Sequence, residues 1–196
     1  SYNDFQCLSS QLSDSTLSSI SLVGLRSIKD EEELALIKRA IEISDKAFEF
    51  MLDNLHEGMR EIEAAALLEY EMRRLGSEGI SFPTIVASGT RSALPHGIAS
   101  SKVIERGDFV TFDFGAIYSG YHSDITRTLV IGNASSWQRE LYELVREAQL
   151  LGIKNARAGI TGAELDAIVR SFIPSHGYGQ YFGHGLSHGV GLDIHV

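Results

Sequence analysis

Apolar residues recur at three- and four-residue steps between positions 30 and 55, the spacing that gives an α-helix one buried face. The same period continues from 60 to 75, and Gly76 follows where a left-handed C-terminal cap is favoured. Two later runs, 135 to 156 and 161 to 173, each start with Ser or Thr followed three residues later by Gln or Glu. That spacing is typical of a capping box at a helix N-terminus. The pattern therefore predicts four helices in two pairs.

Strand-like sequence follows the first helix pair. Segments 80 to 88 and 109 to 130 are rich in β-branched and aromatic residues and are interrupted by Gly and Pro. A shift of 101 positions superposes Gly58 on Gly159, Glu63 on Glu164, Ala66 on Ala167 and Gly76 on Gly177. We predict an α+β fold with duplicated helix-helix-strand units. The strands that would complete the second unit are expected beyond Val196, so the fold is expected to be incomplete at the C-terminus.

The first 26 residues differ from the rest of the chain, because they are rich in Ser and lack a strong period. We interpret residues 1–26 as a linker or as the tail of a preceding N-terminal domain. Residues 27–196 are then the domain that carries the chemistry.

Composition excludes several classes of protein. With 43% hydrophobic and 22% charged residues the chain is typical of a globular protein, and no apolar run approaches the roughly 20 residues that cross a bilayer. Acidic residues outnumber basic ones by 26 to 17, and there is no dense Lys/Arg patch, so neither nucleic acid nor membrane is an expected partner. A single cysteine, Cys7, excludes an internal disulfide and favours a cytoplasmic location.

The strongest chemical signal is the segment GDFVTFDFGAIYSGYHSDITRTLVIG, which places Asp113 and Asp124 on two strand-like runs around a turn. If the turn centres between Tyr118 and Ser119, the two aspartates face each other across the ladder, with Cβ atoms about 4.5 to 5.5 Å apart. Like charges at that distance repel unless one is protonated or a cation lies between them. A dinuclear metal centre would supply the cation. An exposed pair with screened charges and the carboxyl pair of a retaining glycosidase are the alternatives.

Histidines form the second signal. The segment YFGHGLSHGVGLDIH carries His184, His188 and His195 among four glycines, which disfavour a helix. As a strand it would point His184 and His188 to one side, and His195 would need a bend to join them. Because imidazole is a common metal ligand, we predict a site here. His96, in SALPHGIAS, is by itself better explained as a surface residue of a loop.

Three segments together, SFPTIVASGTRSALPHG, GDFVTFDFGAIYSGYHSDITRT and HGLSHGVGLDIH, resemble the proline-specific branch of the pita-bread peptidases. This family contains the Xaa-Pro dipeptidases (prolidases) and the Xaa-Pro aminopeptidases. The resemblance covers about Ser27 to His195 and implies the pita-bread (creatinase/aminopeptidase-like) fold. It further implies two divalent metal ions, Mn²⁺ in the first place with Co²⁺ or Zn²⁺ as alternatives. The implied substrate is a dipeptide or short peptide with proline, and the implied full-length protein is a homodimer.

The resemblance also assigns metal ligands. It implies that Asp113, Asp124 and His188 bind the ions, with Asp124 bridging both. The family's two glutamate ligands come from later strands, and where an acidic residue is expected after His195 this chain has Val196. With three of five protein ligands, the chain is expected to bind metal weakly and to be inactive by itself.

The remaining histidines receive roles in the same way. His96, His184 and His195 correspond to the family's catalytic histidines, which surround the ions and contact the substrate. A non-catalytic peptide-binding or interaction module on the same fold is the alternative function, and intact ligand positions at Asp113, Asp124 and His188 argue against it.

Overall fold

Two helix pairs and a small antiparallel sheet are the main elements of the protein. A computed structural model describes residues 2–12 and 23–196. Its helices are α1 (Tyr2–Gln11), α2 (Val23–Ser27), α3 (Glu31–Asn54), α4 (Glu61–Arg74), α5 (Ser136–Asn155) and α6 (Gly162–Phe172). Its strands are β1 (Ile85–Ser88), β2 (Phe109–Phe114), β3 (Ile117–Tyr118), β4 (Tyr121–His122) and β5 (Ile125–Val130). The four helices predicted from periodicity are α3 to α6, and their ends agree with the prediction to about one residue.

Residues 1–26, the predicted linker, are described only in part. They include α1 and all of α2 except Ser27, whereas residues 1 and 13–22 lie outside the described residues. The domain division at residue 27 stays a prediction. Within residues 2–12 and 23–196, no helix combines the length and the apolar character that crossing a bilayer requires.

The sheet has the strand order β1-β2-β5 and separates a buried face from an accessible one. Side chains of β2 alternate, because successive residues of a strand point to opposite faces. Phe112 and Phe114 lie on the buried face, where the ring of Phe48 from α3 packs 5.5 and 5.7 Å from their centroids. The main cluster of buried apolar residues consists of Ile43, Ala47, Met51, Ala64, Ala65, Leu68, Met72, Val86, Ile104, Val110, Phe112, Phe114, Ala116 and Ile125. Asp113 therefore lies on the face of the sheet that α3 and α4 leave open.

The hairpin turn lies one residue later than the sequence analysis placed it. Tyr118 pairs with Tyr121, and Ser119 and Gly120 form the turn with φ values of +48° and +79°. A two-residue type I′ turn requires positive φ at both central positions, which favours Gly and disfavours a bulky residue such as Tyr118. Glu78 fixes this turn, since its carboxylate accepts hydrogen bonds from both turn amides at 3.0 Å.

The later turn changes the register. Asp113 pairs with Thr126, so the prediction that Asp113 stands directly opposite Asp124 is wrong. The observed partner of Asp113 lies two positions after the predicted one. Because side chains alternate with a period of two, each residue still points to the predicted face of the sheet.

Helices α5 and α6 pack mainly on each other. Their buried apolar residues are Leu144, Ala148 and Val169. Gln138 links α5 to the first unit by donating to the carbonyl of Gly107 at 2.9 Å. Residues 183–196 have no helix or strand, so the interpretation of the histidine segment as a strand is wrong. Its many glycines carry no side chains that would pack a strand against a sheet.

Candidate metal centre

Asp113 lies on β2, on the accessible face of the sheet, and is half-buried. Its Oδ1 accepts a hydrogen bond from Thr126 Oγ1 at 3.0 Å. Burial raises the pKa of Asp113, the Thr126 hydrogen bond opposes the rise, and the negative charge of Asp124 adds to it. His188 and His96 are near enough to lower the pKa of the same carboxyl. Asp124, His188 and His96 are therefore all near enough to Asp113 for their charges to influence its ionisation.

Asp124 and His188 are in contact. His188 Nε2 lies 3.2 Å from Asp124 Oδ2, and the two side chains are 39% and 25% exposed, so solvent reaches both. The backbone before Asp124 is fixed by Ser123, whose buried hydroxyl lies 2.9 Å from that of Ser44 on α3. The same Ser123 hydroxyl accepts a hydrogen bond from the amide of Ala116. A buried polar network therefore sets where the Asp124 carboxylate emerges.

His195 lies beside His188, with ring centroids 4.4 Å apart and planes inclined by 57°. A bend brings them together, since the amide of Val196 donates to the carbonyl of Gly189 at 3.1 Å. This backbone contact places His195 beside His188 within an irregular stretch of chain.

His96 is exposed, in the loop that follows β1. A 3₁₀ turn, Gly89–Ala93, opens this loop, and the carbonyl of His96 accepts from the amide of Ile98 at 2.9 Å. Ile98 forms an isolated bridge with Ile85, and Ile85 pairs with Asp113. The loop therefore runs beside the strands that carry Asp113, which accounts for the effect of His96 on that carboxyl.

His184 lies apart from this group in the described chain. Its Nδ1 is 2.8 Å from the carbonyl of Gly185, and its ring meets that of Phe182 edge-on at 5.1 Å. Its carbonyl accepts from Arg170 at 2.6 Å. The structure therefore joins Asp124, His188 and His195 through direct contacts. Asp113 lies within electrostatic range of Asp124, His188 and His96, and His184 stands apart from these residues.

The donor types at this site suit divalent ions, which take carboxylate oxygen and imidazole nitrogen. In the described ranges, however, no three or more His, Cys, Asp or Glu side chains stand close enough together to hold an ion. Asp124 and His188 instead contact each other. Asp113, Asp124 and His188 fit a metal by chemistry, and their side chains would have to turn towards a common point to bind one.

Three residues that hold the site were not among those predicted from the sequence. Thr126 donates a hydrogen bond to Asp113. The available signal was its position two residues after Asp124, since residues i and i+2 of a strand-like run point to the same face. Asp166 and Arg170 on α6 hold the histidine segment, because Asp166 accepts from the amide of Leu186 at 3.0 Å and Arg170 donates to the carbonyl of His184. Their spacing in sequence indicates only an ordinary i, i+4 ion pair.

Comparisons with known proteins identify the family of the chain. The model of metallopeptidase family M24 matches residues 35–196. The Xaa-Pro dipeptidase of Pyrococcus horikoshii is 52% identical over 171 residues, which cover 87% of this chain and 49% of that protein.

Solved structures of similar proteins superpose closely on this chain. The Xaa-Pro dipeptidase from Bacillus anthracis superposes with a TM-score of 0.95 at 48% identity, over 100% of this chain and 55% of that one. The X-Pro aminopeptidase from Thermotoga maritima superposes with a TM-score of 0.96 at 50% identity, again over 100% and 55%. The chain thus spans about half the length of the relatives it matches, and the predicted α+β pita-bread fold is confirmed. The chain belongs to metallopeptidase family M24.

Proposed function

We propose that the protein containing this chain hydrolyses peptide bonds next to proline in a metal-dependent reaction, as an Xaa-Pro dipeptidase or an Xaa-Pro aminopeptidase. The observation that carries the proposal is the contact of Asp124 with His188 within electrostatic reach of Asp113. Relatives of both names match the chain at about half identity, so both substrate classes are retained.

In this proposal Asp113, Asp124 and His188 bind two divalent ions, Mn²⁺ in the first place and Co²⁺ or Zn²⁺ otherwise. Such ions supply Lewis acidity to a scissile carbonyl and lower the pKa of water. The raised pKa of Asp113 supports the proposal, because a desolvated carboxyl beside a second carboxylate is stabilised in its ionised form by a cation.

The proposed roles of His96, His184 and His195 concern the substrate. An imidazole N–H can donate to the oxygen on which negative charge develops during acyl transfer. His195 packs on His188, and this contact restricts the orientation of both rings. His96 stands on an exposed loop next to the Asp113 strand, where a bound peptide would be within its reach. A homodimer and a cytoplasmic location remain predictions.

One observation favours the second candidate, a non-catalytic peptide-binding module on the same fold. Among the described residues no group of three donors is arranged to hold an ion. Weak metal binding without turnover would be the signature of this alternative.

The deciding experiment uses the protein at its full natural length. Calorimetric titration with Mn²⁺ is combined with cleavage assays on an Ala-Pro dipeptide and an Ala-Pro-Ala tripeptide. We expect turnover of one of the two, loss of turnover on chelation, and recovery with Mn²⁺. Asp124→Asn should reduce kcat by a factor of about 100 or more, whereas the control Asp53→Asn, on exposed α3 surface, should leave kcat unchanged. Metal binding without cleavage of either peptide would favour the non-catalytic module.

A further inference from the structure

Glu61, at the start of α4, is a carboxylate with no exposed surface. It accepts five hydrogen bonds, two from Ser88 at 2.7 and 2.9 Å, two from Ser100 at 3.1 and 2.6 Å, and one from Arg91 Nε at 3.0 Å. A buried charge is tolerated only when it is paired and hydrogen-bonded. Burial acts to raise the pKa of Glu61, but the bonds from Ser100 and Ser88 outweigh it and the pKa is lowered, so the group is ionised at neutral pH.

The donors belong to a single segment, residues 88–100, which we call the His96 loop. Ser88 is its first residue and Ser100 its last, and His96 lies between them. Arg91 adds a link inside the loop, since its other nitrogen donates to the carbonyl of Ile98 at 2.8 Å. Both ends and the middle of the loop are thus tied, directly or through Arg91, to one buried carboxylate.

The loop also approaches β1 closely. A Cβ built on Gly97 would lie 2.8 Å from the Cβ of Ala87, so only glycine fits without displacement. The neighbouring Ile98 bridges Ile85, and Ile85 pairs with Asp113. A shift of the loop would therefore move His96 relative to the Asp113 carboxylate.

Helix α4 is fixed to the same segment through its backbone. The amides of Glu61 and Ile62 donate to the carbonyls of Lys102 and Ser100 at 3.0 and 2.9 Å. Lys102 Nζ donates in turn to Ser88 Oγ at 2.9 Å and to Asp108 at 2.7 Å. These contacts cap the helix without the Glu61 side chain, so a cap alone does not explain a fully buried carboxylate.

We propose that Glu61 is a positioning residue, whose buried carboxylate holds both ends of the His96 loop and sets the distance of His96 from the Asp113, Asp124 and His188 group. The kinetic part of this inference rests on the proposed peptidase function. Its structural part does not, because the order of the loop is measurable without turnover.

The first test measures loop order by hydrogen exchange with mass spectrometry on the full-length protein. Glu61→Gln keeps the size of the side chain and removes its charge, and Glu69→Gln makes the same change two turns along α4. We expect amide exchange in residues 89–99 to rise about tenfold in Glu61→Gln, with β2 and β5 unchanged and the Glu69 variant like wild type. Exchange that stays at the wild-type rate, or rises equally in all segments, would overturn the inference.

The second test measures the link to His96 with a double-variant cycle. Glu61→Gln is expected to lower kcat/KM about 10- to 100-fold, the effect of displacing a reacting group by about 1 Å. In a His96→Ala background the same change should have little further effect, because the residue that it displaces is gone. Independent, multiplying losses would mean that Glu61 acts only on general stability, and would contradict the proposed role.

A second variant and a measurement that needs no turnover remain if the first tests fail. If Glu61→Gln does not fold, Ser100→Ala removes the 2.6 Å donor to Glu61, together with the acceptor of the Lys102 amide, and should give a smaller effect of the same pattern. If the wild-type protein cleaves no Xaa-Pro peptide, the proposed function fails, and hydrogen exchange alone then decides whether Glu61 holds the loop.

Discussion

The two helix pairs hold their histidine segments in different ways. In the first unit, Glu61 of α4 is fully buried and binds the His96 loop with five hydrogen bonds. In the second unit, Asp166 and Arg170 of α6 bind the segment around His184 from the surface, with side chains 24% and 40% exposed. Each second helix of a pair therefore anchors the irregular segment that follows it, one from inside the protein and one from its surface.

The difference follows from where the core lies. All members of the main core cluster lie between Ile43 and Ile125, in the first unit. A charge-assisted bond that is shielded from water and fully paired holds its partners more firmly than an exposed pair, which water and salt screen. We infer that the site combines a firmly held part, with Asp113 and His96, and a less firmly held part, with His188 and His195.

The largest expected effect is on the core beneath the firmly held part. Phe112→Ala removes a fully buried ring that packs against Phe48, and should lower the free energy of unfolding by about 3 to 5 kcal/mol. Thr111→Ala, one residue away on the accessible face, should cost about 1 kcal/mol through its bond to Thr128. Urea unfolding of both variants measures the contrast, and equal losses would show that the two faces of the sheet are not distinct.

The next effect concerns Glu61. Glu61→Gln should lower the free energy of unfolding by about 3 kcal/mol at pH 7, because its charged partner Arg91 loses its counter-charge. Since the pKa of Glu61 is lowered in the folded state, its stabilisation is fully present above the unfolded pKa of about 4.3 and is lost as pH falls through the folded pKa. The difference in urea midpoint between wild type and variant should therefore be similar at pH 7 and pH 5 and smaller at pH 3. A difference that grows towards pH 3 would contradict the assigned sign.

Local sequence patterns predicted the helices of the fold. The helices followed from periodicity and capping residues, which depend on neighbours within a few positions. The hairpin register did not follow, since the stretch from Tyr118 to Gly120 allows two turn placements. The positive φ that Gly120 and Ser119 adopt decides between them.

Long-range contacts account for what the sequence could not predict. A glutamate in the first turn of a helix is expected from the helix dipole alone, so Glu61 gave no sign of its partners 27 and 39 residues away. His195 reaches His188 through a backbone bond between Val196 and Gly189, which no residue type specifies.

A smaller effect is expected where the His96 loop meets β1. Gly97→Ala places a methyl group 2.8 Å from Ala87, so the loop must shift, at a cost of about 1 to 3 kcal/mol. Gly162→Ala at the start of α6 is the control, since a Cβ there meets nothing within 4 Å and should be neutral or slightly stabilising. Thermal unfolding compares them, and a neutral Gly97→Ala would mean that the loop is not held as closely as Glu61 requires.

The smallest effect on stability is expected at the surface anchor of the second unit. Arg170→Lys keeps the charge but loses the planar group that binds Asp166 and the carbonyl of His184 together. Thermal unfolding should hardly change, because the pair is partly exposed and water screens it. The rate of hydrogen exchange at Leu186, whose amide donates to Asp166, should nevertheless rise by roughly 3-fold. Arg146→Lys on α5 has a similar exposed pair with Glu143 and should leave that amide unchanged. If both variants leave exchange at Leu186 unaltered, the histidine segment is held by something other than α6, and the two units do not share an anchoring helix.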